Sequence, residues 1–157
     1  MKLYLMRHGE AEGIYKGDQP NLNARGDDEV SHIGEALLSM DIQLDHIFHS
    51  GKLRAQRTAE IVKSKLEVDT PMSEKEGLKP NDSVSAFAGN LKVDNGNIMV
   101  VGHLPFIAKL TSYLLAKTES ESMFSFSTAS VACLEYAHSL GWNLQWFINP
   151  ENVAANK

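Results

Sequence analysis

The sequence predicts an α/β fold: a single domain with a central, mostly parallel sheet flanked by helices. Short apolar strands alternate with amphipathic helices along the 157 residues, an order typical of parallel sheets. Three predicted strands run into polar residues, at the carboxyl ends where α/β sheets bind ligands. The length suits one domain spanning residues 1–157, because domains commonly have about 100 to 200 residues.

The first half of the chain predicts two strands and two helices. Strands are predicted over residues 3–6 and 45–49, a loop over 14–25, and helices over 27–38 and after Ser50-Gly51. In the second helix, apolar residues recur at helical spacing at Ala55, Ala59 and Val62. Arg54 therefore falls in the first turn of that helix.

The second half begins with a weaker pattern and then returns to strands. A turn is predicted over residues 79–82 and a short helix over 83–91. The continuous apolar run over 98–101 is typical of a buried central strand. His103 follows it, and Pro105 suits the first turn of a helix that extends to about residue 115. Two final strands are predicted over 130–136 and 142–148.

Composition limits the possible partners and location. With 43% apolar and 22% charged residues the chain is that of an ordinary globular protein. A net charge of −5 argues against a nucleic-acid partner, because binding to the phosphate backbone needs a basic face. We expect no membrane partner and a cytoplasmic location, since no apolar run suits a signal peptide or a membrane span. The single Cys133 is interpreted as a core residue in a reducing compartment.

An arginine and a histidine directly after a buried strand require polar partners that the sheet does not supply. A phosphoryl group would satisfy both Arg7 and His8. A guanidinium holds phosphate oxygens in a bidentate manner, and a neutral imidazole can attack phosphorus. Gly9 would allow the backbone to approach the anion closely. A lone histidine is more often structural, so the context of His8 decides its interpretation.

That context resembles the histidine phosphatase superfamily over nearly the whole chain. Residues 5–10, with Arg7-His8-Gly9, are similar to its Arg-His-Gly signature, and the later pieces follow in the same order: Ser50…Leu53-Arg54-Ala55…Thr58-Ala59, then Val100-Val101-Gly102-His103. The short length and the segments 102–105 and 124–130 resemble the compact SixA-type phosphohistidine phosphatase branch. The resemblance implies a phosphoglycerate mutase-like fold and a phosphatase activity.

The resemblance also implies roles for individual residues. His8 would be the nucleophile that is transiently phosphorylated, Arg7 and Arg54 would grip the phosphate, and His103 would hydrogen-bond the transferring group. We expect Arg7, Gly9, Arg54 and His103 to bind the substrate. Two guanidinium groups and two imidazoles can stabilise the transferring group without a metal, so neither a metal nor a cofactor is expected.

Some positions depart from the family pattern or favour another chemistry. Gly51 stands where many relatives have proline, and Arg57 where they have glutamine; Arg57 is interpreted as a solvent-facing or ion-paired residue. His46 and His49 suggest zinc as a rival. Residues three apart on a strand point to opposite faces, so the pair is a poor chelating site. His138 is expected to be solvated.

The sequence leaves alternatives for the residue that acts as general acid and for the class of substrate. Larger relatives protonate the leaving group with a carboxylic acid, for which Glu76 and Asp82 are the candidates, although each suits an ordinary loop. The resemblance favours hydrolysis of phosphohistidine on a protein, such as a histidine phosphotransfer domain in a signalling relay. The alternatives are a phosphomonoesterase acting on a small phosphate ester and a non-catalytic phosphate-binding module. Such a module would be expected to have lost one of the four site residues.

Overall fold

The computed structural model describes residues 1–13 and 19–155, without the side chains of residues 95, 154 and 155. In chain order the elements are β1 (Lys2–Arg7), α1 (Ala24–Ser39), β2 (His46–His49), α2 (Leu53–Leu66), β3 (Met72–Glu74), α3 (Val84–Gly89), a 3-10 turn (Val93–Asn95), β4 (Ile98–Gly102), α4 (Phe106–Ala116), β5 (Val131–Ala137), β6 (Gly141–Ile148) and α5 (Pro150–Ala155). Every predicted strand is confirmed with its ends shifted by at most one residue.

The strands form one six-stranded sheet in the order β3-β2-β4-β1-β5-β6. The three strand pairs formed within β1 to β4 are all parallel. Strand β5 pairs antiparallel with both β1 and β6. The predicted α/β class and mostly parallel sheet are therefore confirmed. The final strand pair extends the sheet on one side of β1 and ends it at β6.

Helices cover both faces of the sheet. Alternate residues of β1 point to opposite faces: Tyr4 and Met6 pack in the cluster with α1 and α2, and Leu3 and Leu5 in the cluster with α3 and α4. All four side chains are at most 2% exposed. This burial on both faces explains why the central strands are apolar without interruption. Within residues 1–13 and 19–155, no helix combines the length and the apolar character that crossing a membrane requires.

Helix α1 begins three residues earlier than predicted. Asn23 caps it, because its side-chain oxygen accepts a hydrogen bond from the backbone N–H of Gly26 at 2.8 Å. The predicted loop over 14–25 was therefore wrong at its end, where Ala24 and Arg25 are helical. Residues 14–18 of that loop lie outside the described part of the chain.

Strand β3, the 3-10 turn and helix α5 were not predicted, and the ends of the predicted helices differ from the observed ones by one to three residues. Strand β3 has three residues, which is too short for an alternating pattern to be recognised. Helix α5 does carry a start signal, because Asn149 accepts the N–H of Asn152 at 2.9 Å and Pro150 is the first helical residue. Pro105 is the N-cap of α4 and not part of its first turn.

The register of the strands brings their carboxyl ends to one edge of the sheet. Arg7 pairs with Gly102, and His49 lies opposite Val101 on one side and Glu74 on the other. Strand β5 runs antiparallel to β1 and therefore starts at this edge. The segments that follow β1 to β4, and the segment that precedes β5, consequently meet there; the meeting of those after β1, β2 and β4 was predicted.

Candidate active site

His8 lies directly after β1 with its ring orientation fixed by the backbone. Its own N–H donates to the carbonyl of Gly102 at 2.9 Å, and its ring atom Nδ1 lies 2.7 Å from the carbonyl oxygen of Gly9. A carbonyl oxygen can only accept a hydrogen bond, so Nδ1 carries the ring hydrogen. In the neutral imidazole the lone pair is then on Nε2, the nitrogen available for attack.

Gly9 holds the loop of His8 against two helices. Its N–H donates to the hydroxyl of Thr58 on α2 at 3.0 Å, and a Cβ at this position would lie 2.7 Å from Val30 Cγ2 on α1. A larger residue would push the loop away from α1. These contacts position His8 through the Gly9 carbonyl, and the substrate-binding role of Gly9 stays a prediction.

Arg54 is the second residue of α2, which confirms its predicted place in the first turn. Its Nε lies 3.4 Å from Nε2 of His8, the atom that carries the lone pair, and can donate to it. The Arg54 carbonyl accepts the hydroxyl hydrogen of Thr58 at 2.7 Å. The guanidinium is thus beside the attacking nitrogen, where a phosphoryl group bound to that nitrogen would carry its negative oxygens.

Arg7 ends β1 and is anchored on one side only. Its Nη1 donates to the carbonyl oxygen of Phe126 at 2.8 Å, in the segment before β5. Its Nε is buried and has no hydrogen-bond partner within residues 1–13 and 19–155. A buried N–H without an acceptor is costly, and an oxyanion bound here would supply that acceptor.

His103 follows β4 and lies beside His8. The two rings are 5.0 Å apart between centroids, and the His103 side chain is only 1% exposed. Its Nε2 lies 2.5 Å from the hydroxyl oxygen of Ser50, whereas its Nδ1 is buried without a partner among the described residues. The sequence-predicted residues Arg54, His8 and His103 therefore lie together.

Burial keeps both imidazoles uncharged at neutral pH. It lowers the pKa of His8 to about 4, an effect that the hydrogen bond to Gly9 opposes and the charges of Arg54 and Arg7 reinforce. Burial likewise lowers the pKa of His103 to about 3, with smaller contributions from His8 and the nearby cations. Since a protonated imidazole has no lone pair to attack with, these shifts keep His8 in its nucleophilic form.

A cavity of about 590 Å³ extends from Ser50 along the segment between β3 and α3. Both candidate acids line it, Glu76 and Asp82, together with Glu74 at the end of β3. Asp82 accepts the N–H of Lys79 at 2.9 Å, which fixes the predicted turn. Glu74 was not predicted as a site residue, although it too is a polar residue at a strand end, as the other site residues are.

Ion pairs and hydrogen bonds explain the positions of Arg57, His46 and His49. Arg57 lies 3.7 Å from Asp27 and 3.6 Å from Glu60, so its interpretation as an ion-paired residue is confirmed. His46 bonds the Ser73 hydroxyl at 2.8 Å, and His49 accepts the N–H of Gly51 at 3.1 Å.

Metal and thiol chemistry find little support in the described part of the chain. There, no three residues among His, Cys, Asp and Glu are grouped so as to hold a metal ion.

Cys133 is buried on β5, as interpreted from the sequence, and burial raises the pKa of its thiol to about 11. The thiol is therefore protonated at neutral pH, which makes it a poor nucleophile.

A neutral histidine beside arginines at the carboxyl edge of a mostly parallel sheet could attack a phosphoryl group whose negative oxygens the guanidinium groups stabilise. The sequence model of the Histidine phosphatase superfamily (branch 1) matches residues 3–83, slightly more than half of the chain. The chain belongs to this superfamily. The match includes Arg7, His8 and Arg54, whereas His103 lies beyond it.

Three relatives show how far the similarity extends. Phosphohistidine phosphatase SixA of Escherichia coli strain K12 is 25% identical over 162 residues, which cover 100% of this chain and 99% of that protein. A solved structure of the protein histidine phosphatase SixA complexed with tungstate has a TM-score of 0.86 and 24% identity, over 98% of this chain and 99% of that one. The alpha-ribazole phosphatase from Shigella flexneri has a TM-score of 0.71 and 20% identity, over 96% and 97%. The two structures share the fold of this chain.

Proposed function

We propose that this protein hydrolyses phosphohistidine on a protein substrate, such as a histidine phosphotransfer domain in a signalling relay, and that His8 is transiently phosphorylated. One observation carries the proposal. Nδ1 of His8 donates to the Gly9 carbonyl at 2.7 Å, and the remaining nitrogen, Nε2, lies 3.4 Å from Arg54 Nε. An uncharged nitrogen with its lone pair beside a guanidinium is suited to attack a phosphoryl group.

In the first step Nε2 of His8 attacks phosphorus while the bond from phosphorus to the substrate nitrogen breaks. The leaving imidazole, whose other ring nitrogen has already taken a proton from solvent, keeps the electron pair of that bond and departs neutral. His8 becomes a phosphohistidine with its hydrogen still on Nδ1, and the Gly9 carbonyl, 2.7 Å away, stabilises the positive charge that develops on the ring.

In the second step water attacks the same phosphorus from the side opposite to His8. The bond to Nε2 breaks and its electron pair returns to the ring, so His8 recovers the neutral state in which it began. The water releases a proton to solvent or to the phosphate product. No metal is needed to balance either step.

The other residues stabilise the charge on the phosphoryl oxygens. Arg54 is already beside Nε2, and Arg7 offers a buried Nε that has no acceptor among the described residues. His103, whose ring centroid lies 5.0 Å from that of His8, would donate a further hydrogen bond. Gly9 would contribute to substrate binding by positioning His8, because its missing Cβ faces Val30 and its N–H is bonded to Thr58.

The leaving group favours phosphohistidine over an ester. An imidazole can be protonated before the P–N bond breaks, whereas an alkoxide needs a positioned acid. The similarity to a phosphohistidine phosphatase over the whole chain supports the same substrate class.

We propose the cytoplasm as the location, since the lone Cys133 thiol suits a reducing compartment.

A small-molecule phosphomonoesterase is the second candidate, and the cavity beside Ser50 favours it. Glu74 and Glu76 line this cavity and could protonate an alkoxide leaving group. The fold is also shared with the alpha-ribazole phosphatase from Shigella flexneri. The two candidates differ in the leaving group and therefore in their need for a carboxylic acid.

A substrate panel separates the two candidates. The protein would be given a phosphohistidine-bearing phosphotransfer domain, free phosphohistidine and a set of small phosphomonoesters, and kcat/KM measured for each. We expect the phosphorylated domain to have the highest value. A phosphomonoester with the highest value would favour the second candidate. His8→Ala serves as the blank for contaminating phosphatases, and His138→Ala, an exposed histidine outside the site, is the matched control.

A further inference from the structure

Ser50 and His103 form a buried hydrogen-bonded pair whose direction can be deduced. Their Oγ and Nε2 atoms are 2.5 Å apart, and the two residues are 3% and 1% exposed. Either atom could be the donor, since a hydroxyl can both donate and accept and a neutral imidazole has one nitrogen of each kind. The other contacts of the Ser50 hydroxyl decide between the two.

The backbone N–H of Lys52 points at the same hydroxyl. It lies 3.3 Å from Ser50 Oγ, and an N–H can only donate. Apart from His103 Nε2, no acceptor for the hydroxyl hydrogen is found among the described residues. If Nε2 donated as well, the buried hydroxyl hydrogen would be left without an acceptor. If the hydroxyl donates, only the Nδ1 hydrogen of His103 lacks an acceptor, and a bound phosphoryl oxygen would supply one.

We infer that Ser50 is a positioning residue that donates to Nε2 of His103 and thereby holds this imidazole with its hydrogen on Nδ1. Nδ1 is the buried nitrogen that has no partner within the described residues. In this tautomer it is a donor, and phosphoryl oxygens are acceptors. In the other tautomer Nδ1 would present a lone pair to those oxygens and repel them.

The inference rests on the proposed function, because the Nδ1 hydrogen is assigned to a phosphoryl oxygen. It also deepens that function by explaining how a neutral His103 contributes. Ser50 leads from β2 towards α2, whereas His103 follows β4, so the pair joins two of the segments that meet at the site edge. A serine in this position acts on the phosphoryl group through another side chain.

Long-range proton–nitrogen NMR correlation spectra report the tautomer without any turnover. In the wild-type protein near neutral pH we expect Nδ1 of His103 to have a pyrrole-type shift and Nε2 a pyridine-type shift, with the signals assigned through His103→Ala. The opposite pattern would overturn the inference without the need for any Ser50 variant.

Variants at position 50 then test the cause. In Ser50→Ala we expect His103 to shift towards the Nε2-protonated tautomer, and inorganic phosphate or tungstate to bind about tenfold to a hundredfold more weakly in an NMR titration. Ser50→Thr keeps the hydroxyl and should restore both. Ser112→Ala is the matched control, because Ser112 is also buried and hydrogen-bonded but lies on α4.

The outcomes separate this inference from the proposed function. Weaker anion binding in Ser50→Ala with an unchanged His103 tautomer would overturn the inference, even if turnover also falls. A tautomer that depends on Ser50 in a protein that hydrolyses no phosphohistidine would support the role of Ser50 and contradict the proposed substrate. An unchanged spectrum and unchanged affinity in Ser50→Ala would also overturn it.

Discussion

The hydroxyl oxygen of Thr58 accepts the backbone N–H of Gly9 at 3.0 Å and so fastens the loop of His8 to helix α2. The same hydroxyl donates its hydrogen to the carbonyl of Arg54 at 2.7 Å. Thr58 is fully buried, so neither bond competes with water. One side chain therefore sets the position of the nucleophile relative to a phosphate-binding arginine.

We predict that Thr58→Val lowers both stability and kcat. Valine has nearly the same shape but leaves the buried N–H of Gly9 without an acceptor, which costs about 1 to 3 kcal/mol in the free energy of unfolding. The looser loop should also reduce the rate, because His8 follows the movement of Gly9. Urea unfolding and steady-state kinetics measure the two effects.

Thr58→Ser is the control for that variant. It keeps the hydroxyl and loses a methyl group, so we expect kcat to stay near the wild-type value. Loss of kcat in Thr58→Ser with a wild-type kcat in Thr58→Val would mean that the methyl group, which valine keeps, and not the hydrogen bonds, positions the loop.

Arg54→Lys should impair phosphate binding strongly. Lysine keeps the charge but loses the planar fork, so a charge-assisted hydrogen bond of about 1.5 to 3 kcal/mol is lost, or about tenfold to a hundredfold in kcat/KM or phosphate affinity. Kinetics and phosphate-inhibition constants measure this loss.

Arg57→Lys is the matched control, because Arg57 lies one helical turn after Arg54 in partly exposed ion pairs with Asp27 and Glu60. Such pairs contribute about 0 to 1 kcal/mol, so the change should be tolerated without a kinetic effect. Sensitivity at position 57 with tolerance at position 54 would contradict the assigned phosphate site.

The rate should be insensitive to pH until the medium is distinctly acidic. The pKa of His8 is lowered from 6.5 to about 4, so the nucleophile is protonated, and its lone pair lost, only as the pH falls through about 4. We expect kcat/KM to be lost there and not near 6.5, once ionisation of the substrate is taken into account. An NMR titration of the His8 ring checks the value directly, and a midpoint near 6.5 would contradict the buried environment.

The carboxylates around the cavity should matter little for phosphohistidine. We predict that Glu74→Gln, Glu76→Gln and Asp82→Asn each change its hydrolysis far less than the about 10²- to 10⁴-fold typical of a lost general acid. Measuring kcat for phosphohistidine and for a phosphomonoester in each variant tests this. A loss of that size on phosphohistidine, in a variant that stays folded, would show that the leaving imidazole needs an enzyme acid.

Much of the fold and the central residues could be predicted from the sequence because the relevant signals are local. Apolar runs ended by polar residues indicated the strand ends at Arg7 and His103, and helical spacing placed Arg54 in the first turn of α2. Because parallel strands have their carboxyl ends at one edge of the sheet, the predicted sheet also implied that the residues following these strands lie close together.

The hydrogen bonds that position the site residues could not be predicted in this way, because they join residues far apart in the chain. The Thr58–Gly9 and Ser50–His103 bonds span 49 and 53 positions and depend on how α2 and β4 pack beside β1. Arg7 is held by the backbone carbonyl of Phe126, an acceptor that every residue offers. Glu74 was missed because the short β3 left no recognisable strand end.

Trapping the phosphorylated enzyme tests the central claim most directly. A phosphotransfer domain carrying radiolabelled phosphohistidine would be mixed with the protein, the reaction stopped rapidly in alkaline denaturant, which preserves phosphohistidine, and the label located by peptide mapping. We predict acid-labile label on His8 in the wild-type protein and none on the chain in His8→Ala, which should also lose turnover. Label on another residue, or wild-type turnover in His8→Ala, would contradict nucleophilic catalysis by His8.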